Sequence, residues 1–181
     1  MKNILVLNGS PRTNGNTRKL SEAFITRCIQ RGYDVKKYNI SDMNILECND
    51  CRRCFEEDNP CVLEDDFNTI AADLVKADVI IFSLPVYFYS IPGKFKMFLD
   101  RLICFQEGNK NLSDKLYGII CCCEDKEMTT FDGVRVPLER MARDFGWILL
   151  DEILAPGMER TNDIENTDGI RRAKELADKI S

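Results

Sequence analysis

The stretch Asn3-Ile-Leu-Val-Leu-Asn-Gly-Ser-Pro-Arg-Thr-Asn-Gly-Asn-Thr17 joins a short apolar run to a loop of small polar residues. The apolar run is typical of a buried parallel strand. A helical pattern follows from Thr17 and ends near Gly32, a residue type that commonly terminates helices. This stretch therefore predicts a strand, a polar loop and a helix in direct succession.

The same succession recurs along the rest of the chain. Further strands are predicted at 35–40, 79–84, 117–122 and 148–154. Further helices are predicted from Asp65 or Asp66 to Ala77, from Pro92 to Cys104, from Pro137 to Phe145 and from Gly169 to Ile180. Segments 41–64 and 123–135 are predicted to be irregular. This alternation predicts one α/β domain over residues 1–181, a flavodoxin-like doubly wound parallel sheet of five strands in the order 2-1-3-4-5, with helices on both faces.

Charge and apolar pattern limit the partners of the chain. Lys and Arg total 25 against 30 Asp and Glu, and the net charge of −5 argues against nucleic acid, whose phosphates require a basic surface. The longest mostly apolar run, 79–89, contains Pro85 and is shorter than the roughly 20 residues that cross a bilayer. No signal peptide is visible after Met1. We therefore expect a soluble, cytoplasmic protein with no membrane and no nucleic-acid partner.

The chain contains nine cysteines and no histidine among its 181 residues. Without histidine the usual general base is missing, so we assign no catalytic acid or base, and a cofactor would carry any chemistry. Cysteines in a chain without a secretory signal indicate metal or redox use rather than a disulfide framework. Cys28, Cys104 and the run 121–123 are interpreted as buried packing residues. The alternative for Cys123 is that it lines the site together with Glu124.

The loops after strands one, three and four are the candidate site, because doubly wound sheets bind ligands beyond the carboxyl ends of their strands. The first loop, Gly9–Thr17, leads into a helix N-terminus, whose free N–H groups favour phosphate. It lacks the P-loop lysine and the G-x-G-x-x-G pattern, so a terminal phosphate monoester suits it better than a triphosphate or a dinucleotide. The alternative is an ordinary turn followed by an N-cap.

The loop after strand three, Leu84–Gly93, holds three aromatic residues, 87–89, between Pro85 and Pro92. Aromatic rings at the edge of the sheet could form a platform for a flat ligand ring. The alternative is ordinary core packing, but the position beside the phosphate loop favours the platform.

The segment Cys48-Asn-Asp-Cys-Arg-Arg-Cys-Phe-Glu-Glu-Asp-Asn-Pro-Cys61 has the spacing C-x2-C-x2-C-x6-C. Consecutive C-x2-C steps are typical of the compact ligation of a [4Fe–4S] cluster. Zinc is the first alternative, although four-cysteine zinc sites usually consist of two well separated pairs. Free thiols are the second alternative.

Together these motifs resemble a known family. Gly-Ser-Pro-Arg-x-x-Gly-Asn-Thr at 9–17, Pro-Val-Tyr at 85–87 and Lys-x-x-x-Asp-Arg at 96–101 are similar to the NAD(P)H-dependent FMN reductase family. With the cysteine segment 48–61, the chain most resembles the iron–sulfur flavoprotein branch of that family.

The resemblance implies a homodimer or tetramer that binds FMN at the subunit interface and uses NAD(P)H as co-substrate. It assigns the FMN phosphate to Ser10, Arg12, Asn14, Asn16 and Thr17. It assigns the ribityl chain and isoalloxazine ring to Pro85, Val86, Tyr87 and Phe88. It assigns a [4Fe–4S] cluster to Cys48, Cys51, Cys54 and Cys61.

Three functions are compatible with these motifs. The first is an FMN oxidoreductase that moves electrons from NAD(P)H or a ferredoxin-like donor to an acceptor, with the loop 123–135 as a lid. The second is an electron-transfer protein with FMN and a cluster but no substrate of its own. The third is a non-enzymatic domain that binds FMN or is stapled by zinc.

Overall fold

The computed structural model describes residues 1–55, 61–108 and 111–181. Five strands form one parallel sheet: β1 (Asn3–Asn8), β2 (Asp34–Asn39), β3 (Val79–Pro85), β4 (Leu116–Cys122) and β5 (Ile148–Ala155). Their order is β2-β1-β3-β4-β5, which confirms the predicted topology. The α-helices are α1 (Asn16–Gln30), α2 (Phe67–Lys76), α3 (Gly93–Asp100), α4 (Ile103–Glu107), α5 (Asp132–Asp144) and α6 (Gly169–Asp178).

The sheet separates two hydrophobic cores because successive side chains of a strand point to opposite faces. Ile4 and Val6 of β1 pack with buried residues of α1 and α6 on one face. Leu5 and Leu7 pack with buried residues of α2, α3 and α5 on the other. The first six residues of β3 are all buried, as expected for a strand covered on both faces. The carboxyl ends of the strands lie at one edge of the sheet, beyond both cores, and the connecting loops occupy that edge.

The prediction of a single helix from Pro92 to Cys104 is wrong, because the structure contains two helices there, α3 and α4. Between them the backbone makes tighter bonds to the third residue back, from Arg101 N to Phe98 O at 3.2 Å and from Leu102 N to Leu99 O at 3.0 Å. The side chain of Arg101 is buried at this break. The turn therefore directs a charged side chain inwards.

The prediction that Pro137 begins a helix is also wrong, because Pro137 lies inside α5, which starts at Asp132. Phe131, Val134 and Leu138 form one buried face that continues across the proline. Burying this face outweighs the backbone hydrogen bond that the proline cannot donate. A 3-10 helix at Met128–Phe131 precedes α5. The irregular loop predicted at 123–135, and any lid formed from it, is therefore limited to about residues 123–127.

Within residues 1–55, 61–108 and 111–181, no helix is both long and apolar enough to cross a bilayer.

The buried side chain of Asp73 on α2 forms a polar cluster with Lys36 and Tyr38 of β2. Lys36 Nζ lies 2.8 Å from each carboxylate oxygen of Asp73, and the Tyr38 hydroxyl donates a hydrogen bond to the same group. Burial acts to raise the pKa of Asp73, but the bonds from Lys36 and Tyr38 outweigh it and hold the pKa below its usual value. Burial and the bond to Asp73 raise the pKa of Tyr38 to about 12.

Asp73→Asn is expected to weaken the fold at neutral pH but not in acid. The pKa of Asp73 is lowered in the folded state, so its contribution is present above the ordinary carboxyl pKa of about 4 and is lost as the pH falls below it. We expect a loss of about 1–2 kcal/mol at pH 7 that shrinks towards pH 3, measured by urea unfolding. Asp34→Asn, at an exposed position on β2, is the control. A loss that does not change with pH would contradict this account.

Candidate functional site

A cavity of about 480 Å³ lies at the carboxyl ends of the central strands. It is lined by Ser10, Arg12 and residues 15–17 from the loop after β1, by residues 85–88 after β3, by residues 122–124 at the end of β4, and by residues 158–159 after β5. The cavity therefore lies between β1 and β3, at the point where the strand order reverses.

The loop after β1 brings the N-terminus of α1 to this cavity. Gly9 N donates to Ser83 O at 2.8 Å, and Gly15 N donates to Arg12 O at 3.2 Å, so the loop leaves the sheet and turns tightly into the helix. A Cβ atom on Gly9 would lie 2.7 Å from Cδ2 of Phe95, which explains the glycine. Among the residues that the structure describes, no side chain caps the N-terminus of α1 at Gly15. The first amide groups of the helix therefore remain available to an anion in the cavity.

Most of the residues predicted to hold phosphate line this cavity. Asn14 does not, and the side chain of Asn16 has partners elsewhere. Asn14 is exposed and is not among the lining residues of the described part of the chain. The side chain of Asn16 donates from Nδ2 to Arg160 O at 2.8 Å and accepts from Ile164 N at 3.4 Å. It therefore holds the segment after β5 against α1, and only its backbone amide is left for a ligand.

The aromatic loop after β3 forms a tight turn with unusual backbone angles. Tyr87 and Ser90 exchange two backbone bonds of 2.9 and 3.0 Å, with Phe88 (φ 46°) and Tyr89 (φ 64°) between them in the left-handed region. Bulky residues rarely adopt this conformation, and such strain is concentrated at functional sites. Phe88 is 96% exposed and Tyr89 is 64% exposed. These two rings are not part of the core, so ordinary packing does not explain them.

Of the lining residues at the ends of β4 and β5, Cys123 and Glu124 are predicted from the sequence, and Cys122 and Met158 are not. Cys122 and Cys123 reach the cavity from β4, and Met158 follows β5. Met158 N donates to Cys123 O at 2.8 Å, which joins the two segments. Burial raises the pKa of Cys122 to about 12, although a bond with Thr17 opposes the shift, and burial also raises the pKa of Cys123. Both thiols therefore stay protonated at neutral pH. No motif marks residue 158, so only its position reveals it.

The four cysteines of the segment 48–61 line a second, mostly apolar cavity together with Arg101, Ile103 and Cys104. Asp50 (φ 49°) and Arg52 (φ 56°) are left-handed and fold the chain sharply around Cys51. Residues 56–60 of this segment lie outside the described residues. Burial raises the pKa of Cys54, and the neighbouring thiols of Cys61, Cys51 and Cys48 raise it further.

Two further observations concern the cavity lined by the four cysteines. In the described ranges, no three Cys, Asp or Glu side chains are arranged closely enough to hold a metal ion. The expectation that Cys104 is a buried residue is confirmed, but it packs beside the cysteine segment as a fifth thiol. Its nearness to Cys54 and Cys61 could not be read from spacing, because it lies beyond α3.

A family model described as NADPH-dependent FMN reductase matches residues 2–129, well over half of the chain. The chain belongs to the NADPH-dependent FMN reductase family. The matched residues include the loop after β1, the cysteine segment, the aromatic loop and α3. Both cavities are therefore built almost entirely from the part of the chain that defines the family.

Curated relatives agree with this family. An iron-sulfur flavoprotein of Archaeoglobus fulgidus is 32% identical over 103 residues, which are 57% of this chain and 46% of that protein. An iron-sulfur flavoprotein of Methanosarcina thermophila is 31% identical over 113 residues, 62% of this chain and 59% of that protein. The chain thus spans about half the length of the curated relatives it matches.

The likeness to solved structures covers almost the whole fold. The azoreductase from Bacillus anthracis str. Sterne superposes with a TM-score of 0.77 at 16% identity, covering 99% of this chain and 100% of that one. The FMN-dependent NADH-azoreductase from Bacillus anthracis str. Ames Ancestor, in complex with FMN, gives a TM-score of 0.71 at 15% identity, covering 99% of each chain. At this low identity, the likeness of this chain to both structures shows the fold alone.

Proposed function

We propose that this chain is an oxidoreductase that binds FMN in the cavity at the carboxyl ends of β1, β3 and β4. The observation that carries the proposal is the meeting of two features in one cavity. An uncapped helix N-terminus with Ser10, Arg12 and Thr17 lies on one side, and a strained loop with exposed aromatic rings lies on the other. FMN has one part that suits each feature: a phosphate monoester for the helix N-terminus and a flat ring for the aromatic loop.

The phosphate would be held by the loop after β1. Backbone amides at the start of α1 and the hydroxyls of Ser10 and Thr17 can donate to its oxygens, and Arg12 supplies a positive charge. Asn14 remains assigned to the phosphate only by family resemblance. The backbone of Asn16 can contribute an amide, while its side chain keeps the segment 160–164 in place.

The sugar-alcohol chain and the ring would contact residues 85–88. Val86 N donates to Cys122 O at 2.9 Å, so this loop is fixed to the end of β4 before it reaches the aromatic turn. Bound FMN would supply the capacity to accept a hydride and to pass electrons singly or in pairs. The chain itself positions the cofactor, and Cys122 and Cys123 line the cavity as neutral thiols.

A second copy of the chain would complete this site. Phe88 and Tyr89 expose apolar rings beside the cavity, and covering them would remove this surface from water. This supports the homodimer or tetramer that the family resemblance implies.

We further propose that Cys48, Cys51, Cys54 and Cys61 hold a [4Fe–4S] cluster, which would exchange electrons with the flavin. The four thiols line one mostly apolar cavity, and four sulfur donors are the ligand set of a [4Fe–4S] cluster, whose ligands lie farther apart than those of a single metal ion. Iron-sulfur flavoprotein is also the name of several curated relatives. A ferredoxin-like protein would then be an alternative electron donor to NAD(P)H.

The test is an absorption spectrum of anaerobically prepared protein loaded with FMN, followed by addition of NADH or NADPH. Bleaching of the flavin by either nucleotide supports an oxidoreductase. Bleaching only by a reduced ferredoxin indicates the electron-transfer function without its own substrate. A protein that cannot be loaded with FMN would overturn the proposal.

Arg12→Ala is expected to weaken FMN binding about tenfold, since one charge-assisted hydrogen bond to the phosphate is lost. The dissociation constant is measured by quenching of FMN fluorescence. Arg27→Ala, at the opposite end of α1 and paired with Asp178, is the control and should bind FMN like the original chain. Binding of riboflavin, which has no phosphate, should be the same in Arg12→Ala and the original chain. An equal loss for riboflavin would contradict the assignment of Arg12 to the phosphate.

Cys51→Ser is expected to remove most of the iron from anaerobically reconstituted protein while FMN binding is unchanged. Cys51 is exposed, so the substitution should not disturb the core. Iron and zinc are measured on the same sample, with about four irons per chain expected before substitution. Cys28→Ala, which removes a thiol from the opposite core, should retain its iron. One zinc per chain and no iron would instead support a structural zinc site.

A further inference from the structure

Arg101 forms the inner wall of the cysteine cavity, and its side chain is buried. It follows α3 directly, is 1% exposed, and lines the cavity together with the four cysteines. A buried arginine requires partners for its charge and its five N–H groups. Its contacts therefore indicate what this part of the molecule is built to hold.

Two nitrogens of the guanidinium tie both ends of the cysteine segment together. Nη1 pairs with the carboxylate of Asp65 and lies 3.4 Å from Leu46 O, before Cys48. Nη2 donates to Leu63 O at 3.2 Å, after Cys61. The guanidinium carbon lies 4.3 Å from the centre of the Phe67 ring. One side chain thus joins the entrance and the exit of the segment.

Asp65 completes this arrangement from the other side. Its Oδ2 accepts from Leu46 N at 2.7 Å and its Oδ1 accepts from Phe67 N at 3.0 Å. The side chains of Asp65 and Arg101 are both fully buried. Their ion pair is shielded from solvent and therefore fixes the two ends of the cysteine segment relative to each other.

The remaining guanidinium nitrogen of Arg101, Nε, differs from Nη1 and Nη2. It is buried and has no hydrogen-bond partner among the residues that the structure describes, a condition it shares there only with the hydroxyl of Ser83. A buried charged donor without an acceptor is costly, and such groups in native proteins usually mark an unseen partner. The nearby cavity is lined by cysteine sulfurs and apolar groups. The thiolates and sulfides of an iron–sulfur cluster are hydrogen-bond acceptors of the kind that Nε lacks.

We propose that Arg101 donates its Nε–H to a sulfur of the cluster held by Cys48, Cys51, Cys54 and Cys61, and thereby raises the reduction potential of that cluster. This inference rests on the proposed cluster site. Reduction adds negative charge to the sulfurs, so a fixed N–H donor favours the reduced form.

The test compares the original chain with Arg101→Lys, both loaded anaerobically with FMN and with iron and sulfide. Lysine keeps the positive charge beside Asp65 but has no Nε–H. The cluster and flavin potentials are measured in one redox titration followed by absorption and EPR. We expect a lower cluster potential in Arg101→Lys and an unchanged flavin potential. Arg140→Lys, at an exposed position on α5, should change neither.

Failure of the inference and failure of the cluster site give different results. An original chain that binds FMN but takes up no iron overturns the cluster and, with it, the role of Arg101. A loaded Arg101→Lys with an unchanged cluster potential overturns the role of Arg101 alone.

A second measurement needs no change at Arg101, in case Arg101→Lys does not fold. The chain is prepared with arginine labelled with ¹⁵N at Nε, and the reduced cluster is studied by pulsed EPR. We expect a ¹⁵N coupling that persists when both Arg52 and Arg53 are replaced by lysine. Absence of the coupling, or its loss in the Arg52→Lys, Arg53→Lys variant, would overturn the inference.

Discussion

Arg101→Met is expected to lower the free energy of unfolding by about 3–5 kcal/mol, because it leaves the carboxylate of Asp65 buried without its charge partner. The same substitution removes the bonds to Leu46 O and Leu63 O at the two ends of the cysteine segment. Urea unfolding of FMN-free, iron-free protein measures the loss without any contribution from ligands. We also expect residues 46–63 to become sensitive to proteases before the rest of the domain unfolds.

The control for this prediction is Lys96 on α3, the helix that ends just before Arg101. Lys96 pairs with Asp100 at the surface, with both side chains about half exposed, so Lys96→Met should cost less than about 1 kcal/mol. Adding Asp65→Asn to Arg101→Met should cost much less than the sum of the two single changes, since no uncompensated charge remains. If Arg101→Met were no more damaging than Lys96→Met, the buried ion pair would not be a structural element.

Gly133→Ala is expected to displace the aromatic loop and to weaken FMN binding by about tenfold or more. A Cβ atom at position 133 on α5 would lie 1.7 Å from the carbonyl oxygen of Tyr89, so either α5 or the loop must move. Such overpacking typically costs about 1–3 kcal/mol of stability, although alanine is otherwise preferred to glycine within a helix. The loop carries the strained residues 88 and 89 and has little freedom to adjust.

Gly93→Ala is the matched control, because a Cβ atom on this helical glycine would meet nothing within 4 Å. It should bind FMN like the original chain and be as stable or slightly more stable. Fluorescence quenching gives the affinity for FMN and for riboflavin, and both should weaken in Gly133→Ala, in contrast to Arg12→Ala. Normal binding of both flavins by Gly133→Ala would show that the position of the aromatic loop does not matter.

The sequence and the structure agree best where the signals are local. The buried run 79–84, the short polar loop Gly9–Thr17 and the regular alternation of strands and helices predict the sheet order, which the structure confirms. The loops predicted to form the site also meet in one cavity, since parallel strands bring their carboxyl ends to one edge. Local rules fail at Pro137, where a buried face that begins at Phe131 draws the proline into a helix.

The sequence by itself determined the fold class, the strand order and the loops at the candidate site, because each depends on a run of neighbouring residues. Only the tertiary structure decided which distant residues join them. Met158 reaches the cavity proposed for FMN, Cys104 joins the four cysteines, and Arg101 binds both ends of a segment that begins 55 positions earlier at Leu46. These contacts follow from how helices pack on the sheet and where charges become buried. Packing and burial are set by the whole chain, so no local spacing encodes them.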